Sequence, residues 1–290
     1  MNQKARVGLF KILVLATSSV FVVWWLYINI VLRSPDHNNI NNQIFGATYG
    51  IISLFGGLAG LVASKKWGGR KSLVGRALMF FAIGLLAQEF GQITYSYYTY
   101  VSKIAIPYPS IGDIGYFGSV LFYIYAAWQL AKAAGIKFSF KDRSKKIIAT
   151  ILPLILLTAS YLFFLRNYQF DFSSLKASLA VFLDFGYPLG QAGYIAIALM
   201  TYLLSKNLLG GIMKKKILFV LFALLIQYIA DFTFLNAAKT GSPFPAGAND
   251  LMYLIAYTVM ALALNSFRVF SIPHKTEESA AGTNSATGEV

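Results

Sequence analysis

Five acids stand within or at the ends of apolar stretches of this sequence: Glu89, Asp113, Asp184, Asp231 and Asp250. No Lys or Arg lies deep in any of those stretches to neutralise them. An ionised acid at the centre of a membrane helix costs about 2.5–3.5 kcal/mol on insertion scales. Each acid must therefore face a protein interior, carry a proton or hold a cation. Amides and phenols accompany them. Gln88 and Gln92 are one helical turn apart and share one face, as do Gln227 and Asp231. Tyr116 follows Asp113, and Tyr253 follows Asp250, by i to i+3 spacing, again on a shared face. The candidate ligand- or proton-binding set is Glu89, Gln92, Asp113, Tyr116, Asp184, Gln227, Asp231, Asp250 and Tyr253. Two plainer roles compete with ligand binding. The polar groups can hydrogen-bond helix to helix, worth about 0.6–2 kcal/mol per bond. Asp113 and Asp250 can also cap helix N-termini, since Ser110-Ile-Gly-Asp113 has capping-box spacing and Gly247 precedes Asp250 likewise.

Enzyme chemistry finds little footing. There is no cysteine, which excludes disulfides, thiolate metal sites and thiol catalysis. The two histidines, His37 and His274, are far apart in sequence, and His37 reads as a solvated loop residue. No His-Glu metalloprotease pair, serine-nucleophile elbow or phosphate loop occurs. Ser110-Ile-Gly-Asp113 lacks the first glycine of the intramembrane aspartyl protease motif, and its acid falls at a helix end. The expectation is a protein that is not an enzyme, with cofactor and metal unassigned.

The elements that must hold these groups are helices in a bilayer. Hydrophobic residues make up 57% of the chain and charged ones 12%, with a mean hydropathy of +0.60, far from the ~25% charged content of soluble domains. Apolar runs near membrane length fall at about 9–32, 43–63, 77–102, 112–131, 147–165, 177–204, 217–237 and 250–270. Barrel strands would need short alternating segments instead. The fold class is all-α, a polytopic membrane helical bundle of about eight transmembrane helices.

Charge sets the expected topology. Of the 25 Lys and Arg, 20 fall at the two ends and in alternate gaps, and 5 in the remaining gaps. Such asymmetry predicts both termini on the cytoplasmic side of the cell membrane. The net charge of +14 then reflects topology and lipid headgroups rather than nucleic acid, for which no soluble basic domain exists. On this topology Asp113, Asp184 and Asp250 lie near the outer face and Asp231 somewhat deeper. Glu89 is near mid-membrane. A polar cavity opening outward follows. The end of the chain, 274–290, lacks core-forming residues and is expected to be disordered.

The polar pattern occurs twice. Gln88, Gln92 and Thr94 align with Gln227, Asp231 and Thr233 at one constant offset. Pro107-Tyr-Pro109 aligns with Pro243-Phe-Pro245, and Asp113 with Asp250, at nearly the same offset. An even number of spans separates the copies, so the expected architecture is two parallel four-helix repeats, 1–136 and 137–273. Glycines cluster in the second and sixth spans (Gly46, Gly50, Gly56, Gly57 and Gly60, then Gly186, Gly190 and Gly193), where helices can approach closely.

Pro107-Tyr-Pro109-Ser-Ile-Gly-Asp113-Ile-Gly-Tyr116, its second copy and Tyr187-Pro188-Leu-Gly190 together resemble an eight-span bacterial membrane module. That module occurs ahead of diguanylate cyclase, phosphodiesterase or kinase domains as a sensory input. The resemblance covers most of 9–270. The family's Gly-Asp before each loop corresponds to Gly91-Gln92 and Ala230-Asp231, and its acid after Tyr-Pro-Leu-Gly to Gln191. It implies a receptor-like or sensory module with a small ligand or cation on the outside and a cytoplasmic or membrane signalling partner. A proton- or cation-coupled transporter of small solutes or ions is the alternative reading, and a structural membrane subunit a further one.

Overall fold

Each apolar stretch becomes helix, the one open-ended element whose backbone groups are all paired within the segment and so need no water. The computed structural model describes residues 3–34, 36–37, 39–104, 106–135, 143–205, 211–240 and 244–269. The helices are α1 (Gln3–Leu26), α2 (Ile40–Thr48), α3 (Ile51–Lys66), α4 (Leu73–Ser96) and α5 (Ile111–Ala133). They continue with α6 (Arg143–Ser160), α7 (Leu175–Ser205), α8 (Gly211–Thr240) and α9 (Ala248–Ser266). Wider π-type turns extend α1, α4 and α6 at Tyr27–Leu32, Tyr97–Ser102 and Tyr161–Leu165. No strand occurs among the described residues. The expected disordered tail and the boundary between halves at 136–137 lie outside them.

Five helical segments are long and apolar enough to cross a membrane: Leu9–Leu32, Ile40–Lys66, Leu73–Ser102, Ile111–Ala133 and Lys214–Ala237. The expectation was eight. The apolar part of α6 is the shorter Thr150–Leu165. Helices α7 and α9 are diluted by the polar residues they turn inward, Asp184, Tyr187 and Gln191 on one and Asn249, Asp250 and Tyr253 on the other. Polar groups that face a bundle interior lower a helix's hydropathy without exposing it to lipid.

Helix order around the bundle follows from packing. Helix α3 packs on α4, α4 on α5, α5 on α7, α7 on α8, α8 on α9 and α9 on α3, which closes a ring of six. Helix α1 lies outside against α9 and α3, and α6 outside against α7. Only 17% of the apolar window of α1 is buried. Its exposed Ile12, Val20 and Val23 belong to an apolar exterior suited to lipid.

Glycines set how close the ring helices come. A Cβ at Gly56 would overlap Ala261 of α9 and Leu85 of α4, and one at Gly60 would overlap Ala82 and Leu264. The expected close packing is therefore found on the face of α3 that meets α4 and α9. On α7, Gly186 lies under Phe117 and Gly190 under Val120, both from α5. The second apolar stretch is not one unbroken helix, because a turn at Tyr49 and Gly50 separates α2 from α3. That break turns the Tyr49 ring inward, 4% exposed.

Candidate functional site: an acidic, tyrosine-lined cavity

Inside the ring lies a cavity of about 890 Å³, within the range of small-molecule sites. Asp113, Asp184, Asp231 and Asp250 all line it, and no Lys, Arg or His does among the described residues. The two Pro-x-Pro loops contribute Pro107, Tyr108, Phe244 and Pro245. Tyr123, Tyr194 and Tyr257, each at most 1% exposed, belong to the packed core with Phe81, Leu85 and Leu224.

Three of the four cavity carboxylates, Asp113, Asp184 and Asp231, are held by tyrosines from other elements. Asp113, on the first turn of α5, forms the expected capping box: Oδ2 accepts from Ser110 N at 2.7 Å and Ser110 Oγ at 3.1 Å. Its other oxygen accepts from the Tyr187 hydroxyl of α7 at 2.8 Å. Asp250 accepts from the Ala246 amide at 2.8 Å, ahead of the Gly247 cap of α9, and lines the cavity together with Tyr49. Capping and cavity lining are thus combined in the same two residues. The helix N-terminus stabilises the anion locally, while one oxygen of Asp113 is left for the tyrosine across the ring.

Asp231 is the most enclosed, 4% exposed. Oδ1 accepts from Gln227 Nε2 and the Tyr253 hydroxyl, both at 3.0 Å, and Oδ2 from the Tyr194 hydroxyl at 2.7 Å. Three helices, α7, α8 and α9, meet on this one carboxylate. Its counterpart Gln92 has a related arrangement: Oε1 accepts from Tyr116 at 3.2 Å, while Nε2 donates to the Gly46 carbonyl. Gln88 donates to Ser119 Oγ and accepts from the Tyr257 hydroxyl, both at 2.9 Å.

Asp184 takes its donors from loops. Tyr108, between α4 and α5, donates to Oδ1 at 2.5 Å, and Tyr168, between α6 and α7, donates to Oδ2 at 2.7 Å. Desolvation first, then the hydrogen bond to Asp184 and its charge, pushes the Tyr168 hydroxyl up to about 12 and raises that of Tyr108 as well. A tyrosine whose folded pKa is raised stabilises fully below its ordinary pKa of ~10 and loses that contribution as pH climbs through the folded value. The two tyrosines therefore stay protonated and hold Asp184 throughout the neutral range. The second loop is pinned differently: Trp25 Nε1 donates to Gly247 O at 3.1 Å, Asn29 Nδ2 to Ala246 O at 3.1 Å and Asn42 Nδ2 to Pro245 O at 2.9 Å. His37 is exposed, and its ring is stacked on Phe244 at 4.0 Å rather than simply solvated.

Of the nine candidates, Gln92, Asp113, Tyr116, Asp184, Asp231, Asp250 and Tyr253 line the cavity. Gln227 stands behind Asp231. Glu89 is not part of the lining; it accepts from Ser53 Oγ at 3.1 Å and lies against Gly50, in the seam between α3 and α4. Sequence reasoning did not place Tyr49, Tyr108, Tyr168 or Tyr194 in the site. Only the repeat could have hinted at Tyr49, which stands close to where the first half aligns with Tyr187. Among the described residues no group of three or more His, Cys, Asp or Glu is arranged to hold a metal ion. No protein-family model matches the chain, and neither a curated protein nor a solved structure matches it significantly.

Proposed function

We propose that this protein is a multi-pass membrane receptor-like module of eight spans, with an outward-facing acidic site for a small ligand or cation. The single observation that carries this reading is the cavity lined by four aspartates and, among the described residues, no basic one. Its low-dielectric walls strengthen attraction for a positive ligand and oppose an anion. The packed tyrosines and apolar side chains of the core favour binding over passage through the bundle.

A matched pair of hydrogen bonds supports the two-repeat, parallel architecture. Gln92–Tyr116 and Asp231–Tyr253 join equivalent helices, and their members occupy corresponding places in the two copies. The Asp113–Tyr187 hydrogen bond closes one seam between halves, and the corresponding residues Asp250 and Tyr49 line the same cavity. The resemblance to sensory input modules points in this direction too. A cytoplasmic or membrane partner would meet the basic face that carries Lys65, Lys66, Arg70 and Lys71.

The topology has a direct test, since the chain has no cysteine of its own. A single cysteine at Asp171, in the exposed loop before α7, is expected to react with an impermeant thiol reagent on intact cells. One at Arg70 is expected to react only after permeabilisation. The reverse pattern would overturn the orientation. For function, the purified protein in neutral detergent is expected to melt at higher temperature with small organic cations and to be indifferent to matched anions. Stabilisation by anions alone would refute an acidic binding site. Uptake of a bound cation into vesicles that contain only this protein would establish the transporter alternative.

A further inference from the structure

Helix α7 carries a ladder of polar groups along one face. Asp184, Tyr187 and Gln191 line the cavity, and Tyr194, one turn further, donates to Asp231. At 1.5 Å per residue, and with side chains tilted toward the helix N-terminus, the carboxylates of Asp184 and Asp231 are separated by about 10–15 Å along the bundle. Tyrosine rings occupy the interval, Tyr187 from α7 and Tyr253 from α9. Between the two acids sits Gln191, 5% exposed. The other buried glutamines of the cavity wall are satisfied, Gln88 by Ser119 and Tyr257 and Gln92 by Tyr116 and Gly46. Gln191 receives no hydrogen bond from any described residue, and its amide opens onto the cavity. An amide that opens onto the cavity without a partner among the described residues is free to hydrogen-bond whatever fills the cavity.

The acids are dispersed instead of converging. No three of them gather as a metal ion would require, among the described residues. A single small cation on one aspartate would reach none of the others. Charges spread along a chain match this ladder: ammonium groups for the carboxylates, methylene segments against the tyrosine faces.

We propose that the cavity binds a linear polyamine, with its terminal ammonium groups on Asp184 and Asp231 and an inner amine on the Gln191 amide. This rests on the outward acidic cavity proposed above and adds its ligand class. Spermidine covers the span: its ends lie roughly 11 Å apart when extended, two charge-assisted hydrogen bonds bring its full reach to about 17 Å, and its rotatable methylenes let it bend to the shorter separation. Gln191 is the residue that distinguishes a polyamine from a plain diamine of equal length.

The test is calorimetric titration of the full-length protein in neutral detergent with spermidine, 1,8-diaminooctane, butylamine, choline and magnesium. Spermidine is expected to bind at least about tenfold more tightly than butylamine or choline, and Asp184→Asn and Asp231→Asn each to weaken it about tenfold or more. Gln191→Leu is expected to weaken spermidine about tenfold while leaving 1,8-diaminooctane unchanged, because the diamine has no inner nitrogen. Gln191→Glu is expected to strengthen spermidine, which keeps the position testable if the leucine variant does not fold. Melting without ligand controls for folding. Choline or magnesium binding as tightly as spermidine would overturn the polyamine assignment and leave the acidic cavity standing. Binding of none of these cations would overturn both. An equal effect of Gln191→Leu on spermidine and the diamine would remove Gln191 from recognition.

Discussion

Asp231→Leu is expected to destabilise the protein by about 3–6 kcal/mol, because three donors, two of them buried, lose one acceptor together. The Tyr194 and Tyr253 hydroxyls and the Gln227 amide all point at this carboxylate. Leucine has nearly the right volume but accepts nothing, and the three donors come from three helices, so no single side-chain rotation satisfies them. Asp231→Asn is expected to fold within about 1 kcal/mol of wild type, since its carbonyl oxygen still accepts and its amide can meet a tyrosine oxygen. The asparagine variant is nevertheless expected to lose cation binding, because it removes the charge alone. Melting in detergent read beside calorimetric binding separates the two roles. A leucine variant that melts like wild type would show that the carboxylate is not the point on which α7, α8 and α9 converge.

The second large effect lies between α4 and α5. A side chain at Gly115 would meet the Ala87 carbonyl oxygen and lie 2.8 Å from the Gly91 nitrogen, both backbone atoms that cannot swing aside. Gly115→Val is therefore expected to cost about 3 kcal/mol or more, since relief requires moving one helix away from the other. The displacement would also separate Tyr116 from Gln92, one of the two matched bonds. Gly118, on the same helix, is the control: its added Cβ would meet only Phe122, at 3.9 Å. Gly118→Ala is expected to be neutral or slightly stabilising, as alanine favours helix by up to about 1 kcal/mol over glycine. Melting of both variants checks the pair. A Gly115→Val variant that melts no lower than Gly118→Ala would show that the close approach of α4 and α5 does not govern the contact.

How much of this was legible beforehand depends on the range over which each feature is decided. Helix positions were, because long apolar runs in a charge-poor chain leave the backbone no other way to pair. The capping box at Ser110 and Asp113 was, because its partners lie within one turn. The glycine face of α3 was legible for the same reason: helical spacing alone puts Gly56 and Gly60 on one side. The acids declared themselves as interior groups through their cost in lipid. Which of them share a cavity was not legible. A helix apolar nearly all round carries no polar side to mark inside from lipid, so Glu89 could not be told from Gln92 on the same helix. Only the packing of α3 against α4 turns Glu89 toward Ser53 and Gln92 toward Tyr116. The tyrosine partners were equally hidden, since Tyr187 and Asp113 or Tyr194 and Asp231 meet through helix order and register around the ring, which no local spacing encodes. Sequence alone therefore determined an all-helical chain with several helices apolar enough to span a membrane and acids that are costly there. The tertiary structure decided which acids share the cavity, which tyrosines hold Asp113, Asp184 and Asp231, and that Gln191 has no partner among the described residues, because those depend on how six helices close on one another.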